Sequence, residues 1–458
     1  MGFAFAFLFY HFELGVNALL FDGLLLLLLL GGRPELACSS GVRWATACLL
    51  ASALSLVIVN TDGALLAHHL SVVLLVGFTQ RRELRFLFYA LLLGLLSLVS
   101  GPLRIIGSGL RAVTEYEGRF AVGRWLVPGL TALVVCVPFV VLYSAGSVDF
   151  LGAIEWLLNL IPDLLDDRTA ATLVLLLFGL NLGVALLFPL ANAPGEISRP
   201  GLEQQLKRVR IRSAVQRSPL ALKRAYRSAL ATLFLLNALL LVVNLTDVIN
   251  VWIGYRPLTA PQLSQFVHEG TATLLLSIFL AMVCVLVVFR RNLNFYHGAG
   301  ALRAVAYFWL IQNAFLALSV GLRNAYYIRA YGLAHGRVIV MLMIVLVLTG
   351  LFPLYRKVRF RRTLSYLLQV NGLALWLALV GNGAVNWSVV ITRFNLNRPG
   401  DRVDWDYLVR DLDDTNTFLL REHLDRVPVR FRKRIRARRV QAPQDWRSWN
   451  YAAWRNRN

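Results

Sequence analysis

Residues 336–355 read GRVIVMLMIVLVLTGLFPLY, and residues 356–362 read RKVRFRR. The first stretch carries one charged side chain, Arg337, near its opening. The second is a basic knot of Arg356, Lys357, Arg359, Arg361 and Arg362. A transmembrane helix needs about 20 predominantly apolar residues, and Lys/Arg clusters beside its end mark the cytoplasmic side. The apolar stretch recurs along the chain, at 3–31, 42–60, 63–79, 84–106, 124–147, 170–193, 227–249, 267–289, 301–321, 336–355 and 365–391. That gives about eleven spans of the required length. Lipid offers the backbone no hydrogen-bond partner, and no stretch alternates as a barrel strand would, so the spans are expected to be helices. The fold class is therefore all-α: a polytopic transmembrane helical bundle with a small, polar, helical C-terminal tail.

Composition agrees. Of 458 residues, 57% are hydrophobic and only 16% are charged, against about 25% charged in soluble domains. Mean hydropathy is +0.61. These values exclude a string of soluble domains, a disordered chain and a disulfide scaffold. The net charge of +22 would point to nucleic acid in a soluble protein. Here the basic residues lie in short runs between apolar stretches, which reads as cytoplasmic anchoring and then as contact with anionic lipid. No nucleic-acid partner is expected; the lipid bilayer is.

The chain divides into N-terminal spans (1–148), an amphipathic interfacial helix (149–168), C-terminal spans (169–392) with a basic loop at 194–227, and a polar, basic tail (393–458). Asp149, Glu155, Asp163, Asp166 and Asp167 make insertion of 149–168 costly. The basic loop orients the N-terminus inside, and the helix count then puts the tail outside. The tail opens with turn chemistry at Asn397-Arg398-Pro399-Gly400-Asp401. A helix is expected next, with Leu408, Leu412, Leu419 and Leu420 as its apolar face. Trp446, Trp449, Tyr451 and Trp454 are suited to docking at the membrane interface. The first apolar stretch, with Glu13 and Asn17 ahead of the run Leu24 to Leu30, lacks a basic lead-in and reads as a span, not as a signal peptide.

Charged groups within spans ask for a reason, and several gather at span ends. Asn244, Asp247 and Asn250 close the seventh span. His268 and Glu269 open the eighth. Arg323, Tyr327 and Arg329 close the ninth, and His335 and Arg337 open the tenth. Asn382 and Asn386 lie at the exit of the eleventh. Alternation of the helices brings all these ends to one side of the membrane. Asp247, His268, Glu269, Arg323, Tyr327, Arg329 and Arg337 are therefore the candidate ligand- or ion-binding residues. The competing reading is a polar plug of interhelical hydrogen bonds and helix caps, and both stand at this level. His68 and His69, adjacent on a helix, point about 100° apart and are poor joint metal ligands. The cysteines Cys38, Cys48, Cys136 and Cys284 are scattered. No catalytic motif, metal set or cofactor fingerprint occurs, so no metal and no cofactor are expected.

The same residues carry a resemblance. The chain is similar to a membrane family called domain of unknown function 4173, related to the 4153 family. The likeness rests on Phe266-Val267-His268-Glu269-Gly270, Trp309-Leu310-Ile311-Gln312-Asn313 and Arg323 four residues before Tyr327. It continues through Ile328-Arg329-Ala330-Tyr331-Gly332-Leu333, Arg337, Arg393-Phe394-Asn395, Asp404-Trp405-Asp406-Tyr407-Leu408 and Leu412. It covers most of 170–425. At Ala334-His335-Gly336 the chain departs from the pattern, which has a Thr after the Gly-Leu pair. The resemblance implies a multi-pass protein of the bacterial inner membrane and supplies no activity.

Three functions follow as expectations. The first is transport or sensing of an ion or small ligand at the polar cluster, the carboxylates and His268 taking a cation or proton and the arginines an anionic group. The second is a membrane scaffold or assembly factor with the tail as docking module. The third is a membrane-embedded enzyme on a lipid-phosphate substrate, which the lack of any nucleophile motif weakens.

Overall fold

In the computed structural model the described residues are 1–116, 167–190, 205–206, 219–254, 277–278, 280–289, 291–296, 298–399, 402–438 and 445–457. The expected span at 124–147, nearly all of the interfacial helix at 149–168, and much of the stretches 194–227 and 267–289 lie outside them. The apolar stretches fold as helices, and no β-strand occurs among the described residues. Seven helices there are long and apolar enough to cross a membrane, and Val16–Gly32 and Leu87–Pro102 are shorter apolar helices. The chain is an integral, multi-pass membrane protein of the all-α class. It forms two compact units, Met1–Ile197 with Ala442–Trp454 and Ser198–Gln441 with Arg455–Asn458.

The first unit contains α1 (Gly2–Phe9), α2 (Val16–Gly32), α3 (Ser40–Ile58), α4 (Asp62–Thr79), α5 (Leu87–Tyr116) and α6 (Asp167–Leu187). The stretch 3–31, expected as one span, is two helices. His11 takes a left-handed backbone, with φ 61°, and the chain breaks between Phe9 and Val16. Asn17 makes that break tolerable in an apolar setting. Its Oδ1 accepts from the Gly15 and Ala18 N–H groups at 2.8 and 2.9 Å, and its Nδ2 donates to the carbonyls of Leu8 and Glu13 at 3.0 and 2.9 Å. Backbone groups that lost their helix partners thus regain them from one fully buried amide. A second amide, Gln80, ties the α4–α5 corner to α6, donating to Ala185 O and accepting from Leu190 N.

The α4–α5 hairpin packs backbone on backbone. A Cβ on Gly77 would lie 1.7 Å from Ala90 O, and one on Gly94 would lie 2.2 Å from Val73 O. Small residues permit this approach, and in lipid close packing supplies what the hydrophobic effect supplies in water.

The second unit contains α7 (Pro219–Asp247), α8 (Ala299–Tyr331), α9 (His335–Phe360) and α10 (Leu364–Gly383). α7 begins within the expected basic loop, so Lys223, Arg224 and Arg227 ride on a helix. Pro219 stands at its first position, where no N–H is needed. Leu233, Ile278, Val285, Phe289, Leu302, Ala306 and Val358 are among the core residues. A ladder of amides runs along the α7–α8 seam. Gln312 donates to Asn237 Oδ1 at 2.7 Å, Asn237 to Val305 O, and Asn244 to Gln312 O. Leu235, Leu239 and Val242 on α7 face outward, as lipid-facing side chains do.

The last expected span, 365–391, is also broken. α10 stops at Gly383 and α11 (Trp387–Leu396) begins under an Asn386 cap that accepts from Val389 N at 3.0 Å. Trp387 Nε1 donates to Asn382 Oδ1 across the break. The single helix expected in the tail is absent. Leu408 lies in a short π-helical turn, the backbone is extended at Leu412, and a separate helix, α12 (Thr417–Glu422), carries Leu419 and Leu420. The leucines still share one core, with Trp405, Val427 and with Phe431 and Ile435 of α13 (Val429–Ala437). Buried Asn416 holds the break, donating to Leu408 O and to Thr392 Oγ1 of α11. Apolar spacing therefore marked the buried positions but not the turns between them.

We predict that Gly77→Ala lowers the stability of the purified protein by about 1–3 kcal/mol, the usual cost of overpacking, because a carbonyl occupies the space. Gly23→Ala, where a Cβ meets nothing within 4 Å, should be neutral or stabilising. Equal melting temperatures for the two variants in detergent would contradict this account of the hairpin.

Candidate functional site at the helix ends of the second unit

α7 delivers Asp247 at its last residue and α8 delivers Arg323 two turns before its end. Both are buried, at 4% and 9% exposure. The Arg323 guanidinium pairs directly with Asp247 Oδ1. Ser319, one turn earlier on α8, adjoins the same carboxylate and accepts from Trp252 Nε1 at 2.9 Å. Trp252 in turn stacks on Phe315, with ring centroids 5.4 Å apart. Two charges taken out of lipid contact are held by complementary charge and a short shell of hydrogen bonds.

One turn beyond Arg323, Tyr327 is buried. The Arg337 guanidinium lies 4.2 Å from its ring centroid and also donates to Gly332 O. A cation over an aromatic face gains roughly 0.5–2 kcal/mol, more as water is excluded. Between Tyr327 and Arg337 the chain turns from α8 into α9. Gly332 caps α8 at φ 84°, where a Cβ would fall 2.1 Å from Asn395 Oδ1. Only glycine fits that backbone and that contact.

Asn395 of α11 closes the turn. Its Oδ1 accepts from Leu333 N at 2.9 Å and its Nδ2 donates to Leu333 O at 2.8 Å. Arg398 donates to the carbonyls of Arg329 and Ala330, which the helix end leaves without partners. The Tyr407 hydroxyl accepts from His335 N at 2.9 Å, and Asn324 donates to Arg337 O. Burial of the Arg398 guanidinium and of the Tyr407 phenol pushes the first down and the second up from their ordinary pKa ranges.

Of the seven residues expected at one site, Asp247 and Arg323 meet, and Tyr327 and Arg337 meet. Arg329 is exposed and contributes its carbonyl. His268 and Glu269 lie outside the described residues. Asn395, Arg398, Tyr407, Gly332 and Ser319 belong to the assembly and were not in the expected set. Three of them, Gly332, Asn395 and Tyr407, stand within the motifs that carried the family resemblance. Charge alone did not single them out, because an amide, a phenol and a glycine act here through the backbone. Among the described residues no set of three His, Cys, Asp or Glu side chains lies close enough to hold a metal.

These features define a polytopic helical membrane protein in which a polar knot at the helix ends fastens a compact polar segment. The chain belongs to the family described as Domain of unknown function (DUF4153), which matches residues 37–422. Neither the comparison with curated proteins nor that with solved structures finds a match.

We predict that Arg323→Met alone costs about 3–5 kcal/mol, because it strands a buried carboxylate. Asp247→Leu combined with Arg323→Met should cost far less than either single change. Urea or thermal unfolding in detergent measures both, and a double variant as unstable as the singles would show that the pair is not what is lost.

Proposed function

We propose that this membrane protein works in the bacterial inner membrane as a scaffold or assembly factor that presents its tail at the membrane surface. The observation that carries the reading is where the arginines of the knot are spent. Arg323 is matched by Asp247, Arg337 by Tyr327 and Gly332, and Arg398 by the end of α8. Cations so committed favour fastening over ligand capture. What the fastened tail offers is α13, which buries Phe431 and Ile435 and exposes Arg430, Lys433, Arg434 and Arg436. Anionic lipid headgroups are the partner class that fits such a face. On the motifs quoted earlier we also place the chain near the 4173 branch of its relatives.

A second reading, transport or sensing of an ion or small ligand, draws on a different observation. Asp247 Oδ2 and Asn244 Oδ1, one helical turn apart, are buried without hydrogen-bond partners among the described residues. A cation or a hydrogen donor would satisfy both.

The two readings separate in one set of measurements on the full chain in nanodiscs. Arg398→Ala removes two helix-end contacts, each worth about 1–3 kcal/mol if the carbonyl is left bare. Tryptic cleavage within 397–438 should then speed up at least tenfold, the equivalent of about 1.4 kcal/mol, with the spans intact. Unchanged cleavage would remove the support for fastening. A melting temperature that rises with Na⁺, K⁺ or Mg²⁺, and ceases to do so in Asp247→Asn, would favour the second reading.

A further inference from the structure

The first unit holds a different buried pair. Asp22 is the seventh residue of α2 and His68 is the seventh of α4, so each lies about 9 Å along its helix from the start. Asp22 is 1% exposed and His68 6%. His68 Nδ1 stands 3.5 Å from Asp22 Oδ2. Neither Asp22 oxygen, nor His68 Nδ1, has a hydrogen-bond partner among the described residues.

The other polar groups nearby are occupied. The Asn17 amide is used up at the α1–α2 break. Ser52 and Ser55 on α3 and Ser71 on α4 donate to carbonyls of their own helices. His69 is exposed and its Nδ1 bonds Leu65 O, its ring centroid 5.7 Å from that of His68. Of the helices packed on α2 and α4, α1 carries no titratable side chain and α6 carries them only at its start. α3 contributes buried Cys48 and, in its first turn, exposed Arg43. α5 contributes Tyr89 at its start and Arg104 beyond its apolar part. Arg33, Asp62 and Arg447 sit at or beyond helix ends. Among the described residues no fixed cation neutralises Asp22, and no fixed anion other than Asp22 neutralises an imidazolium at His68.

A bare carboxylate so buried has no donor among the described residues, and a lone imidazolium there has no counter-charge but Asp22. One proton placed between the two answers both needs. Either the acid O–H donates to Nδ1, or a protonated Nδ1 donates to the carboxylate. Each form is neutral overall, and the gap of 3.5 Å needs to close by only about 0.6 Å to reach ordinary hydrogen-bond length. We propose that Asp22 and His68 together form an intramembrane proton-binding site, holding one exchangeable proton as a unit. The ligand is the proton itself; the compact gap and the imidazole fit it better than a metal ion, for which no further donors converge among the described residues.

A coupled pair titrates as a pair, and this gives the test. Infrared spectra of the full chain in nanodiscs, with ¹³C-labelled Asp and His, are recorded from pH 5 to pH 10. The wild type should show one carboxyl signal and one imidazole signal changing at the same pH. Asp22→Asn should abolish that carboxyl signal and shift the imidazole transition by at least tenfold in proton concentration. His68→Gln should shift the carboxyl transition by as much. The wild-type spectrum stands on its own should either variant fail to fold. Carboxyl and imidazole signals that titrate at separate pH values, or a carboxyl transition untouched by His68→Gln in a folded variant, would overturn the proposal.

Discussion

Inside a bilayer a backbone N–H or C=O that leaves its helix has no water to turn to. That constraint explains more of this structure than any ion pair does. At several of the described helix breaks an amide side chain supplies missing partners. Asn17 does so between α1 and α2, Gln80 just beyond the end of α6, Asn386 between α10 and α11, and Asn395 at the turn from α8 to α9. Asn416 repeats the device in the tail. An amide suits the task because it donates and accepts at once and carries no charge to desolvate. A carboxylate could only accept, and a lysine only donate.

The helix-end knot is then an extension of the same rule. α8 ends with open carbonyls, and Arg398 caps them with a guanidinium that can reach two at once. Gly332 allows the backbone to reverse, and Asn395 clasps Leu333 from both sides. Tyr327 with Arg337, and Asp247 with Arg323, brace the helices on either side of the turn. Each residue here acts on the backbone or on another member of the knot, so the stability of the spans and the seating of the tail depend on the same few contacts.

Much of this was legible in the sequence, for reasons that differ by residue. The class followed from length and apolarity, since about 20 residues of hydrocarbon-compatible chain admit few other readings. Asp247 and Arg323 could be matched by depth and charge. The breaks at Tyr10–Gly15 and Ala384–Asn386 could not be read, because both lie inside stretches apolar enough to count as continuous spans. Their signals were Glu13 and Asn17 at the first and Asn382 and Asn386 at the second, which hydropathy averages away. The tail was half legible: spacing identified Leu408, Leu412, Leu419 and Leu420 as buried, while the turns depend on Asn416 reaching Leu408 O and Thr392, contacts that no local pattern encodes. The 100° step of the helix buries His68 and exposes His69, but nothing local marks Asp22, whose contact with His68 spans 46 residues.

The two buried pairs differ in what chemistry allows them to become. The Arg323 guanidinium sets its N–H donors against the Asp247 carboxylate and ties α7 to α8. It is suited to hold. An imidazole changes charge within the range that cells experience, and a carboxyl facing it can pass the proton back and forth without net charge appearing in the apolar interior. Asp22 and His68 can therefore alter their state while their helices stay packed. The two pairs thus differ in kind: the one with the histidine can exchange a proton, and the one with the arginine holds two helices together.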